Sequence, residues 1–221
     1  MLRGLFVTGT DTNVGKTVVA AALLHRYRGH VPVRYWKPIQ TGIEQDDDTA
    51  AVRRLTACDS KAVLSSGVRL PRPLSPHLAA ALAGGTITLQ PLIDSIHAQP
   101  GAACWIVEGA GGALVPINDS ELMTDLMVRL ALPVLVVART SLGTINHTLL
   151  TLEALRQRSL HVAGVVMVGP GEPDNRRAVE HYGRIGVLAE MPRFEPLTSE
   201  RLAAWAAKDL DPQSRLLELL R

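Results

Sequence analysis

Residues Gly9 to Thr17 read G-T-D-T-N-V-G-K-T, between the apolar run Leu5-Phe6-Val7 and the helix-forming run Val18–Leu24. A glycine-bearing loop that joins a buried strand to a helix and ends in Gly-Lys-Thr is a phosphate cradle. Backbone N–H groups and the positive end of the helix surround the phosphates, Lys16 reaches the terminal ones, and the Thr17 hydroxyl is placed to ligate Mg²⁺. Asn13, Val14, Gly15, Lys16, Thr17 and Val18 are the nucleotide-binding residues expected in this loop and helix start. Five residues, Thr10 to Val14, separate Gly9 from Gly15 where the usual loop has four, so its first turn differs from the standard one. A Gly-Lys-Thr helix start without a ligand is the competing reading. Strand, loop and helix in the required order argue against it, and the chain is expected to handle a nucleoside triphosphate.

Around this loop, β-rich runs alternate with helical patterns. The expected strands are Leu5–Thr8, Val33–Lys37, Trp105–Glu108, Val134–Ala138, Val162–Val168 and Val187–Ala189; several are continuously apolar, as strands covered on both faces are. Helices are expected over Lys16–Arg28, Asp48–Thr56, Pro76–Ala83, Leu89–Ala98, Met123–Leu130, Ile145–Gln157, Asn175–Tyr182, Ser199–Ala207 and Pro212–Leu220. Ser199 is the expected N-cap of the eighth helix. This order predicts right-handed βαβ units: an α/β fold with an open, mostly parallel sheet and helices on both faces, of the P-loop NTPase type. Pro71–Pro76 is expected to be an ordered surface loop. With 221 residues, 47% of them hydrophobic, the whole of residues 1–221 is expected to form a single domain.

Composition removes several functions. The net charge is +2 and there is no dense Lys/Arg stripe with interleaved aromatics, so no nucleic-acid partner is expected. Cys58 and Cys104, far apart, suit a reducing compartment and form neither a disulfide framework nor a zinc site. The first strand begins within a few residues of Met1, and no apolar stretch approaches bilayer length, so the expected location is cytoplasmic, without a membrane partner.

Ligands of such a sheet bind at the carboxyl ends of its strands. Lys37 ends the second strand in Trp36-Lys37-Pro38-Ile39-Gln40-Thr41-Gly42; Pro38 stops the strand and Gly42 permits a tight turn, leaving Lys37 and Thr41 at the mouth. Lys37 is either an exposed strand-end lysine or a charge beside the triphosphate. Glu108 ends the third strand in Trp105-Ile106-Val107-Glu108-Gly109-Ala110-Gly111-Gly112, where a carboxylate either binds Mg²⁺ or caps the next turn; the glycines allow close approach of backbone to phosphate. Asp46-Asp47-Asp48-Thr49 is either a solvated acidic loop in which Asp48 caps the helix or the source of a metal ligand. Thr17, Asp48 and Glu108 together make a chemically sensible oxygen set for Mg²⁺. His77 and His147 lack metal-ligand spacing and are expected to be structural or interface residues, and Cys104 a buried apolar one.

In combination, these motifs resemble the dethiobiotin synthetases of biotin biosynthesis. The resemblance runs through Val7–Thr17, Lys37–Gly42, Ser75-Pro76-His77, Val107–Gly112 and Leu142-Gly143-Thr144-Ile145-Asn146-His147, covering most of the chain to about Gly164 and weakening in the last third. It implies a Mg²⁺-dependent ligase that uses ATP or another nucleoside triphosphate to join CO₂ to both amines of 7,8-diaminononanoate. The implied intermediates are a carbamate and a carbamic–phosphoric anhydride. Lys16 and Lys37 would supply positive charge, with Thr12 beside them; Thr17, Asp48 and Glu108 would hold Mg²⁺. Thr12, Lys37 and Thr41 would face the substrate. Leu142, Gly143, Thr144, Ile145 and Asn146 would bind its remote carboxylate across a homodimer interface, near Ser75–His77. Glu108, Gly109, Ala110 and Gly111 would border the phosphates, and Gly169, Glu190, Met191 and Pro192 the base.

Two departures from the family pattern stand out. Asn13 occupies a position where some members carry an acidic residue. Val168 stands where an asparagine often reads adenine, and valine makes no paired hydrogen bonds to a base, so relaxed or altered nucleotide choice is expected. Two other readings compete. A cobyrinate-type amidating synthetase would normally continue into a glutaminase domain. A partitioning-type ATPase switch would favour an extra loop lysine and a C-terminal membrane helix; Pro212–Leu220 is short and poor in cations for that purpose.

Overall fold

The computed structural model describes residues 2–221. Seven parallel strands form one open sheet: β1 (Arg3–Gly9), β2 (Val33–Trp36), β4 (Val63–Leu64), β6 (Cys104–Gly112), β7 (Val134–Arg139), β8 (Val162–Val168) and β9 (Val187–Met191), in the order β4-β2-β6-β1-β7-β8-β9. The expected α/β architecture is present. Two short parallel strands, β3 (Ile39–Thr41) and β5 (Val68–Leu70), form a second sheet. None of β3, β4 and β5 was expected, because runs of two or three residues carry no measurable period and owe their pairing to distant chain.

The nine α-helices among the described residues are α1 (Lys16–Tyr27), α2 (Asp48–Thr56), α3 (Pro76–Leu82), α4 (Leu89–His97), α5 (Met123–Leu130), α6 (Thr144–Arg156), α7 (Pro173–Gly183), α8 (Ser199–Asp209) and α9 (Arg215–Leu220). All lie within a few residues of the expected spans. Apolar side chains of α1, α2, α8 and α9 meet one face of the sheet, and those of α3 to α7 meet the other. Covering both faces is what makes runs such as Val134–Ala138 continuously apolar.

Three local expectations are corrected. Thr198, rather than Ser199, caps α8: its hydroxyl accepts from the Arg201 N–H. Asp47, rather than Asp48, caps α2, accepting from the Ala50 N–H at 3.0 Å. With the capping duty on Asp47, the Asp48 carboxylate is directed elsewhere. Finally, β6 runs on to Gly112, since Gly9 pairs with Gly112 after a shift of register, so Glu108 lies inside a strand.

The parallel order sends the carboxyl ends of β1, β2 and β6 to the same edge. There the phosphate loop, Lys37 and Glu108 become neighbours.

Candidate active site

The loop between β1 and α1 is shaped by two residues in the left-handed region, Asn13 (φ 55°) and Gly15 (φ 99°). At Gly15 a side chain would also crowd the neighbouring strand end: an added methyl would lie 3.2 Å from both γ-carbons of Val168. The Lys16 ammonium reaches back across the loop to the Asp11 carbonyl at 2.9 Å. Arg139, at the end of β7, pairs with the Asp11 carboxylate and fixes the outer edge of the loop.

Four residues drawn from ninety-two positions of sequence meet beside it. The Thr17 hydroxyl lies 2.7 Å from Asp48 Oδ1 and 3.0 Å from Glu108 Oε1. The Lys37 ammonium lies 2.6 Å from Asp48 Oδ2 and 2.7 Å from Glu108 Oε1, and also donates to the Gly109 carbonyl at 3.2 Å. The alternation of an extended chain explains this meeting. Trp36 is registered with Val107, so the next residues, Lys37 and Glu108, leave the sheet together on the opposite face, where α1 delivers Thr17.

Lys37 is 5% exposed and Glu108 0%. Charges so deep persist only when paired. Burial alone would lower the Lys37 pKa; the charges of Glu108 and Asp48 and their hydrogen bonds outweigh it and hold it above the ordinary lysine value. Burial alone would raise the Asp48 carboxyl. The Lys37 charge and the bonds from Lys37 and Thr17 outweigh that and keep it below the ordinary value. Lys16 behaves differently. Burial, then repulsion by Lys37, brings its pKa down from 10.5 to about 8.

These groups open onto a cavity of about 970 Å³. Of the expected site residues, Thr12, Asn13, Gly15, Lys16, Thr17, Val18, Lys37, Thr41, Asp48, Glu108, Ala110 and Gly111 line it. Ser75 and Pro76 border it as well, with Arg54 from α2 and Leu197 from the loop before α8. Arg54 and Leu197 escaped the sequence because neither lies in a recognisable motif. Val14 is buried in the core beneath the loop, leaving only its backbone for a ligand. Gly109 lies outside the lining and reaches the cluster through its carbonyl, which accepts from Lys37; a side chain there would meet the Phe6 ring at 2.9 Å.

Other expected residues are not brought to this cavity. Leu142 to Asn146 lie outside its lining, with Leu142 100% exposed and Gly143 capping α6 in the left-handed region. Gly169, Glu190, Met191 and Pro192 also lie outside it. Glu190 pairs with Arg176 at 3.1 Å, and the Met191 side chain is buried in the core, so side-chain contact with a base is unavailable to it.

The oxygen donors fit Mg²⁺ by chemistry: two carboxylates and a hydroxyl within hydrogen-bond distance suit a hard cation. Among the described residues no group of three or more His, Cys, Asp or Glu side chains forms a metal cage. Two carboxylates suit an ion that keeps waters and shares phosphate oxygens.

A family model described as an AAA domain matches residues 3–201. The ATP-dependent dethiobiotin synthetase of Paramagnetospirillum magneticum is 49% identical over 202 residues, covering 91% of this chain and 94% of that protein. The enzyme of the same name from Brucella ovis is 41% identical over 198 residues, covering 90% of each. Among solved structures, a ParA family ATPase from Chlorobium tepidum superposes with a TM-score of 0.59 at 11% identity, over 100% of this chain and 98% of that one, which is a likeness of fold. With the phosphate loop, the strand-end lysine and the paired carboxylates assembled at one edge of such a sheet, and with relatives this close over nearly their whole length, the chain belongs to the dethiobiotin synthetase family.

Proposed function

We propose that this protein is a ligase that closes 7,8-diaminononanoate and CO₂ into dethiobiotin, driven by ATP. The observation that carries the reading is the convergence of Lys16, Thr17, Lys37, Asp48 and Glu108 on one cavity bordered by Thr12 and Thr41. Relatives named for this activity at 41% and 49% identity support it. Likeness to partitioning-type ATPases is confined to the fold.

One amine adds to CO₂ and loses a proton, giving a carbamate. A carbamate oxygen takes the γ-phosphoryl group and ADP leaves. The second amine attacks the carbamoyl carbon, phosphate departs, a proton is lost and the cyclic urea closes. Negative charge grows on the transferring phosphoryl and carbamate oxygens, so the protein's task is positioned positive charge in a site shielded from water. Lys16 serves the terminal phosphates and Lys37 the carbamate side. Thr12 and Thr41 orient the substrate amines. Thr17, Asp48 and Glu108 hold Mg²⁺, which when bound neutralises charge on the phosphate oxygens.

The remote carboxylate of the substrate is bound by Leu142–Asn146 of a second protomer in a homodimer. Full exposure of Leu142 and the position of this segment outside its own protomer's cavity support that division, as does the affinity of the α6 N-terminus for an anion. The base lies by Gly169 and Glu190–Pro192. Without a base-reading asparagine at position 168, nucleotide choice is relaxed. The enzyme works in the cytoplasm, with neither nucleic acid nor membrane as partner; among the described residues no helix is long and apolar enough to cross a bilayer.

The test is incubation of purified protein with diaminononanoate, bicarbonate, Mg²⁺ and ATP, followed by mass analysis. Dethiobiotin formed in step with ADP supports the reading. Nucleotide turnover independent of the diamine and stimulated by lipid or DNA would replace it with a switch.

A further inference from the structure

The mechanism above makes no use of the Tyr35 hydroxyl. Tyr35 stands two positions before Lys37, so both side chains leave the sheet on the same face; Ile106 and Glu108 do so on the adjacent strand, where Tyr35 is registered with Ile106. The Glu108 carboxylate is therefore approached from two sides. Its Oε1 accepts from Lys37 at 2.7 Å and lies 3.0 Å from the Thr17 hydroxyl, whereas its Oε2 accepts from the Tyr35 hydroxyl at 2.8 Å. Tyr35 and Glu108 are both completely buried, and Tyr35 belongs to the apolar layer beneath α1 and α2.

A buried carboxylate with one oxygen unbonded is costly and turns to find a donor. Each oxygen here has its own, and Tyr35 is the only donor within hydrogen-bond distance of Oε2 among the described residues. We infer that Tyr35 is a positioning residue: its hydroxyl holds the Glu108 carboxylate from the core side, so that Oε1 stays turned toward Thr17 and Lys37. The inference rests on the proposed role of Glu108 and Thr17 toward Mg²⁺.

The molecule contains its own control. Tyr27 on α1 donates to Asp211 Oδ2 at 2.6 Å, an equally buried tyrosine–carboxylate bond that does not border the cavity. The experiment compares Tyr35→Phe with Tyr27→Phe. Binding of ATP is followed by calorimetry against Mg²⁺ concentration, alongside turnover and the Mg²⁺-dependent gain in melting temperature with ATP present. The thermal measurement counts only molecules that fold cooperatively.

For Tyr35→Phe the Mg²⁺ concentration at half-saturation is expected to rise about tenfold, the order of one hydrogen bond to a charged group. Turnover at saturating Mg²⁺ should stay within about threefold, because no group that touches substrate is lost. Tyr27→Phe should lower the melting temperature and leave the Mg²⁺ dependence alone. In a Glu108→Gln background, Tyr35→Phe should add no further shift. Half-saturation in Tyr35→Phe equal to wild type, or an equal shift in Tyr27→Phe, overturns the inference. Absence of Mg²⁺-dependent ATP binding or of product in the wild type would instead overturn the proposed function.

Discussion

Replacing Lys37 by methionine keeps most of the side-chain volume and removes the charge. It should disable the enzyme in two separable ways. The ammonium lies 2.6 Å from Asp48 and 2.7 Å from Glu108 with its own side chain 3% exposed. Its loss leaves two carboxylates facing each other in a poorly hydrated site. Breaking a buried pair from one side costs about 3–5 kcal/mol, and because the Asp48 side chain is 24% exposed the lower end applies, about 3 kcal/mol. For a chain of this size that is roughly 6–12 °C in melting temperature. Lys37→Met is thus not the fold-neutral change that a strand-end lysine would suggest. The pH dependence carries a sign. In the wild type the Asp48 carboxyl is held below its ordinary value; that stability is present at neutral pH and is lost as pH falls through the lowered value. In the variant the Lys37 charge and bond are gone and only the Thr17 bond and the Lys16 charge still oppose burial, so the carboxyl rises above its unfolded value, the folded state binds more protons than the unfolded one and stability falls as pH rises. The melting temperature of Lys37→Met should therefore increase from pH 8 to pH 5, and Mg²⁺ should recover part of the loss at pH 8 by replacing the missing charge. Turnover, assayed as dethiobiotin formation at saturating substrates, should drop by about 10²–10³ even where the variant is fully folded, the usual effect of removing one transition-state donor. A wild-type melting curve in the absence of Mg²⁺ would refute the electrostatic argument. Turnover within tenfold of wild type would remove Lys37 from the chemistry.

Lys16, with its pKa at about 8, is largely neutral at pH 9, and phosphate returns it to the charged form; calorimetry in buffers of different ionisation enthalpy should show uptake of most of a proton on ATP binding at pH 9 and far less at pH 7, and no uptake at pH 9 in Lys16→Ala. Arg69 joins Gln40 at 3.0 Å, Thr49 at 2.8 Å and Asp47 at 3.4 Å, bracing the turn that delivers Asp48. Arg69→Met should cost about 1–2 kcal/mol in denaturant unfolding and raise KM for ATP severalfold with kcat little changed; an unaltered KM would confine Arg69 to stability. Competition among ATP, CTP and GTP should give less than about tenfold preference in this chain, and Val168→Asn should widen it, because a site that hydrogen-bonds a base rejects one lacking the partner groups. Strong ATP preference in the wild type would contradict the assignment.

The phosphate loop was legible because it is contiguous: nine residues specify a turn, a helix start and the chemistry that goes with them. The alternation of apolar strands with helices likewise specified a parallel sheet covered on both faces, since burial on two sides leaves its mark within each strand. Local sequence could not decide how Thr17, Lys37, Asp48 and Glu108 would meet. That depended on β2 and β6 becoming neighbours in a register that pairs Trp36 with Val107, a result of long-range packing. It also depended on Asp47 taking the cap of α2, which freed Asp48 for the site. Tyr35 carried no motif at all; only the fold turned a β-forming aromatic into a donor for a buried carboxylate. A charge network of this kind exists only after distant segments share one low-dielectric volume, because each group finds its partner, and its altered pKa, across the sheet rather than along the chain.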